Sequence, residues 1–166
     1  MRKTALARDL MRHPVRQLTA WTPVREAAAF LLRQGISGAP VIDEHGRWVG
    51  VFTQNDIARC VQNRIVRRHS DRTLESREDV GDLAAFSDKV SEAPVRDFMT
   101  AGLFTVFPEA TLDEVIHTMT AFSIHRVFVI NEAKGDLLGV ITTMDLMRWL
   151  DAENAARADE KKIQRV

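Results

Sequence analysis

The sequence predicts a mixed α+β protein built from two copies of one helix-strand-strand-helix unit. Three observations lead there: the 166-residue chain repeats itself, each copy opens on an apolar pattern at helical spacing, and each continues with two short apolar runs around a polar turn.

The repeat keeps register over most of the chain. Asp9-Leu10-Met11 returns as Asp97-Phe98-Met99, an offset of 88 that also carries Ile36 onto Ile124, Val41-Ile42 onto Val129-Ile130 and Glu44 onto Glu132. One extra residue at Lys134 moves the offset to 89. Gly46, Gly50, Val51, Thr53, Asp56 and Arg59 then fall on Gly135, Gly139, Val140, Thr142, Asp145 and Arg148.

In the first copy a short strand is expected near Leu18. Thr22 as cap and Pro23 in the first helical position start a helix that carries Val24, Ala27, Ala28 and Leu31 and ends at Gly35. Strands follow over Ala39-Pro40-Val41-Ile42 and Trp48-Val49-Gly50-Val51-Phe52, with a turn from Asp43 to Gly46 between them. A last helix starts near Thr53, with Ile57 and Val61 on its apolar side.

In the second copy the short strand lies near Val106. Thr111-Leu112-Asp113-Glu114 has capping-box spacing, and Leu112, Val115, Ile116 and Met119 follow as a helix. Val127-Phe128-Val129-Ile130 and Leu137-Leu138-Gly139-Val140-Ile141 are the strands, around a turn from Asn131 to Gly135. The last helix starts near Thr142, with Leu146, Met147 and Leu150 apolar.

The expected organisation is a first repeat over 9–61, a charged linker over 62–94, a second repeat over 95–150 and a charged, helical tail over 151–166. The linker interleaves arginines with acids, as a solvated face or excursion does, and its Leu83-Ala84-Ala85-Phe86 patch is able to dock back.

Composition removes several functions. Lys plus Arg equals Asp plus Glu at 23 each, so the basic excess of a general nucleic-acid binder is missing. The single cysteine, Cys60, excludes an internal disulfide and cysteine-rich metal sites, and reads as a core residue. The five histidines never share metal-ligand spacing, and neither a nucleophile elbow nor a phosphate-binding loop occurs. With no secretory signal and no long apolar run, the chain is expected to be soluble and cytoplasmic, without a membrane partner, and because no base, nucleophile or metal set accompanies Asp56 and Asp145, no catalysis is expected.

Two units in this register resemble a tandem of CBS domains, the cystathionine beta-synthase type, together called a Bateman module. The resemblance rests on the Asp-x-Met openings, on Ile36-Ser37-Gly38-Ala39-Pro40-Val41-Ile42-Asp43 with Ile124-His125-Arg126-Val127-Phe128-Val129-Ile130-Asn131, and on the two Gly-x-x-Thr-x-x-Asp segments. It implies two repeats packed sheet to sheet about a pseudo-twofold axis, a homodimer through the helices, and clefts that bind AMP, ADP or ATP as a regulatory ligand. It also implies signalling to a partner protein.

The residues give this a physical form. Asp56 or Asp145 offers two acceptor oxygens to adjacent ribose hydroxyls, and Thr53 or Thr142 stands at a helix start, where N–H groups favour phosphate. The preceding glycine leaves room for a ligand. Thr-x-x-Asp is equally a helix cap that needs no ligand. His125 and Arg126 suit phosphate in the second repeat, where the first has Ser37-Gly38, so the two clefts are expected to differ. Leu18, Thr19, Ala39 and Pro40, and Thr105, Val106 and Val127, are candidates for an adenine slot and equally for plain core. Helical surplus is the motive for a dimer: Val24, Ala27, Leu31, Val115 and Met119 are more apolar helix than the sheets are expected to cover. The alternative function is a structural dimerisation module without nucleotide.

Overall fold

The structure is a computed structural model and describes residues 5–60, 92–133 and 135–163. Val61, the Leu83-Ala84-Ala85-Phe86 patch and all of the expected linker except 92–94 lie outside them. The chain divides into two compact units: a central unit, Arg16–Leu103, and a terminal unit, Met1–Val15 with Phe104–Val166.

Among its described residues, the central unit has a four-stranded sheet with one long helix packed on it. β1 (Leu18–Thr19) runs parallel to β2 (Gly38–Ile42), which pairs antiparallel with β3 (Trp48–Thr53), and β4 (Thr100–Ala101) closes the edge antiparallel to β3. Between β1 and β2, α2 (Val24–Gln34) places Val24, Ala27 and Leu31 at one-turn spacing against Ala39, Val41 and Phe52, forming the core. A helix over residues 54–60, α3, follows β3, and Cys60 is buried in the same core.

The start of α2 departs from the sequence expectation. Pro23 is the N-cap and makes no side-chain bond; the Thr22 hydroxyl lies 2.9 Å from that of Thr19. The physical reason is a neighbouring segment. The Val24 N–H donates to the Ala93 carbonyl at 2.9 Å, and the Val95 N–H donates to Thr22, so main chain from 93–95 satisfies the end that a side chain was expected to cap. Gly35 ends the helix in the left-handed conformation at φ 62°, as expected.

The terminal unit repeats the pattern. β5 (Thr105–Val106) is parallel to β6 (Arg126–Ile130), which is antiparallel to β7 (Leu137–Thr142), with α4 (Leu112–Ala121) between β5 and β6. Both hairpins shift register at one point, between Val41 and Ile42 and between Val129 and Ile130. The capping box of α4 forms as expected: the Glu114 N–H donates to Thr111 Oγ1, while the Thr111 N–H and hydroxyl donate to the Glu114 carboxylate at 2.7 and 2.9 Å. Val115 and Met119 pack against Val127, Val129 and Ile141. The last helix, α5 (Thr143–Ile163), runs unbroken into the expected tail as far as the last described residue.

Each unit is completed by the opening segment of the other repeat. The short α1 (Ala7–Leu10) lies in the terminal unit, where Ala7 and Leu10 join the second repeat's core and the Ala7 N–H donates to Ala110 at 2.7 Å. Next to it, Arg12 and Val140 exchange both backbone hydrogen bonds, at 2.9 and 3.1 Å. Its counterpart around Val95 does the same in the central unit: Val95 is fully buried, and Arg96 stacks on the Trp21 ring at 3.6 Å.

This exchange explains the strand glycines. They were expected to leave room for a ligand, but in both units the opening segment takes the room. A Cβ on Gly139 would stand 2.7 Å from Met11 Cβ, and one on Gly50 would meet Met99 Sδ at 2.8 Å and the Thr100 carbonyl.

Two expectations about helix faces are corrected. Val24, Ala27, Leu31, Val115 and Met119 are not surplus, because all five are buried inside their own unit. On α5 the inward side is Leu146 with Trp149; Met144, Met147 and Leu150 fall on the other side and are 58, 55 and 42% exposed.

Candidate functional site

In each unit a strand ends on a threonine, a helix begins at the next residue, and an aspartate on the first turn is buried. In the central unit, Asp56 Oδ2 accepts from the Thr53 N–H and from its hydroxyl, both at 2.7 Å, while Oδ1 accepts from Arg59. In the terminal unit, Asp145 Oδ2 accepts from the Thr142 N–H and hydroxyl at 2.9 and 2.6 Å. Its Oδ1 accepts from two arginines, Arg148 at 3.2 Å and Arg12. The aspartates are 1 and 6% exposed, whereas the side chains of all three arginines are more than half exposed.

These bonds are the capping half of the motif, so each carboxylate has structural work before any ligand arrives. An ionised carboxylate has about four acceptor positions. Asp56 uses three with these partners and keeps one; Asp145 uses all four.

His125 and Arg126 are brought to the same place. The His125 carbonyl accepts the Thr143 N–H at 3.1 Å, and Arg126 is the cross-strand neighbour of Thr142. In the central unit the Ser37 carbonyl takes the Gln54 N–H at the same distance, and Gly38 is opposite Thr53. The two helix starts therefore share a backbone and differ in charge.

The strand candidates divide. Leu18, Ala39 and Val127 belong to the unit cores, and Pro40 is also fully buried. Thr19 and Thr105 are exposed at the ends of β1 and β5, and Val106 is half-buried against the terminal unit's core.

Sequence reasoning missed the three arginines. Arg59 and Arg148 carried a signal, since each follows its aspartate by three residues and so shares its helix face. Arg12 carried none within its own repeat: it is 133 residues from Asp145 and reaches it only because the opening segment crosses to the other unit.

The family description "CBS domain" matches residues 7–63 and 95–152, most of the chain and both repeats. The chain belongs to the CBS domain family. It is 25% identical over 144 residues to an L-aspartate semialdehyde sulfurtransferase of Methanocaldococcus jannaschii, and 29% identical over 133 residues to a 5'-AMP-activated protein kinase subunit gamma of Kluyveromyces lactis. Those matches take in 86 and 78% of this chain but only 23 and 34% of the relatives, so it spans about a quarter to a third of their length.

Among solved structures it resembles the CBS domain pair of protein MJ0100 in complex with 5'-methylthioadenosine and S-adenosyl-L-methionine. The TM-score is 0.69 at 21% identity, covering 90% of this chain and 98% of that one. It also resembles CBSX2 in complex with AMP, with a TM-score of 0.66 and the same identity and coverage. The fold is that of a CBS domain pair. Among the described residues no helix is long and apolar enough to cross a membrane.

Proposed function

We propose that this CBS pair is a regulatory module that senses an adenosyl ligand, foremost AMP, ADP or ATP, and signals its occupancy to a partner protein in the cytoplasm. The observation that carries the reading is the duplicated placement of a buried carboxylate at a helix start, with arginine beside it, in both units. A helix start gathers N–H groups and the positive end of the helix dipole, which suits phosphate. In this reading Asp56 and Asp145 take ribose, while Thr53, Thr142, His125 and Arg126 stand toward phosphate. Thr19, Thr105 and Val106 border the adenine, with Leu18, Ala39, Pro40 and Val127 shaping the strands behind. The ligands of the two similar CBS pairs, AMP in one and adenosyl compounds in the other, support it. It assigns binding and no chemistry of its own to the chain.

A homodimer belongs to the same proposal, supported by the exposed Met144, Met147 and Leu150 on α5. The second reading, a dimerisation module without nucleotide, is favoured by the carboxylates being engaged internally without a ligand.

Calorimetry with AMP, ADP, ATP, NAD and S-adenosylmethionine, with light scattering on the same samples, separates the two. Saturable binding is expected with at least one adenine nucleotide, and a hundredfold excess over the dissociation constant stabilises the fold by about 2.7 kcal/mol. No binding and no melting shift with any of the five would leave the structural module; a mass of 18.8 kDa throughout would remove the dimer.

A further inference from the structure

We propose that Arg12 is a phosphate-operated latch on Asp145, which makes the terminal unit's site select adenosyl ligands that carry phosphate over those that do not. This rests on the adenosyl reading above and adds the residue that sets ligand class.

Acceptor positions carry the inference. Asp145 has four donors on its four positions: Thr142 N–H and hydroxyl on Oδ2, and Arg12 Nε–H and Arg148 on Oδ1. A ribose hydroxyl finds no acceptor there until one donor leaves. The Thr142 bonds hold the helix start, and Arg148 is fixed to the same helix one turn along. Arg12 comes from another segment, so its side chain, 58% exposed like that of Arg148, is the donor that withdraws without disturbing the helix.

Its main chain does not have to move. Both hydrogen bonds to Val140 hold the backbone in place, with Met11 seated over Gly139. A guanidinium presents its donors as a fixed fork that fits phosphate oxygens, so a phosphate close by gives Arg12 an alternative to the carboxylate. Phosphate takes the arginine, and the freed Oδ1 position takes the ribose. An uncharged adenosyl ligand offers nothing in exchange, and a cationic one is also repelled, because two arginines on one carboxylate leave one surplus positive charge.

The central unit serves as an internal comparison. The repeat offset places Thr100 where Arg12 stands in the other copy, and among the described residues Asp56 has Arg59 as its one arginine, whose Nη2 also lies 3.3 Å from Thr100 Oγ1. That pair is neutral and keeps one acceptor position open, so no latch has to be released.

Titration calorimetry of the full chain with AMP, 5'-methylthioadenosine and S-adenosylmethionine, for the parent, Arg12→Thr and Thr100→Arg, tests this. Arg12→Thr should tighten 5'-methylthioadenosine at one site, because no donor then has to leave, and should lower the preference for AMP over it by roughly ten- to a hundredfold, the loss of a charge-assisted bond. Thr100→Arg should shift the other site toward AMP. Where Arg12→Thr melts too low to titrate, Arg12→Met removes the charge and every donor while keeping most of the apolar stem, and should show the same split. If AMP and 5'-methylthioadenosine change by one common factor, or 5'-methylthioadenosine does not tighten, the latch is wrong while the adenosyl reading stands. If no protein binds any of the three at millimolar concentration, both fall.

Discussion

Asp56 and Asp145 occupy equivalent positions and carry unequal loads. A neutral asparagine at either position keeps an oxygen for the threonine N–H but withdraws the charge that faces arginine. The sequence pattern alone suggests that such a change leaves stability almost unaltered, since asparagine also caps helices. Burial changes that expectation. Asp56→Asn should destabilise by about 1–3 kcal/mol, as loss of a buried charge-assisted bond does. Asp145→Asn should cost more, because it leaves Arg12 and Arg148 facing each other without a carboxylate between them. Denaturant melts of the ligand-free proteins check the order; equal midpoints would show that Arg12 contributes nothing to the resting site.

At the scale of the element, the start of α4 has a measurable signature. Glu114 is held below its ordinary value of 4.5, first by the hydrogen bond from the Thr111 N–H and then by the one from its hydroxyl. A carboxylate whose folded pKa is depressed contributes stability that is full above its unfolded pKa and is lost as pH falls through the folded one. The melting temperature of the parent should therefore exceed that of Glu114→Ala near neutral pH, and the gap should narrow below about pH 4. A gap that stays constant with pH would mean that the box is not formed in solution. The hairpin turn after β2 shows the same physics. Asp43 accepts N–H bonds from His45 and Arg47 and an ion pair from Arg47, and its pKa is lowered, chiefly by the backbone bond from Arg47.

The exchanged opening segments govern the whole molecule. A fragment of residues 1–60 lacks Val95 and β4, which fill the central unit's core and close its sheet; a fragment of residues 92–166 lacks Ala7, Leu10 and the Arg12–Val140 bridge. Neither fragment contains a complete unit. Each alone should show little dispersed signal by NMR, and an equimolar mixture should recover the spectrum of the parent. A well-folded single fragment would show that a sequence repeat needs no segment from its twin.

The duplication, the order of strands and helices within each copy, both hairpin turns, the α4 cap and the Thr-x-x-Asp motifs were all legible in the residues alone. These are local: spacing along one segment sets which side chains share a face, and capping acts across three residues. Thr22 shows where local reading stops, because its capping role passed to main chain about seventy residues away. Which copy each opening segment completes is set by packing over long sequence distance. That choice places Met11 on Gly139 and Arg12 on Asp145, contacts between residues more than 120 positions apart that no spacing within a repeat announces. Two helix starts with one motif thereby acquire different charge, because among the described residues packing rather than pattern brings a second arginine to only one of them.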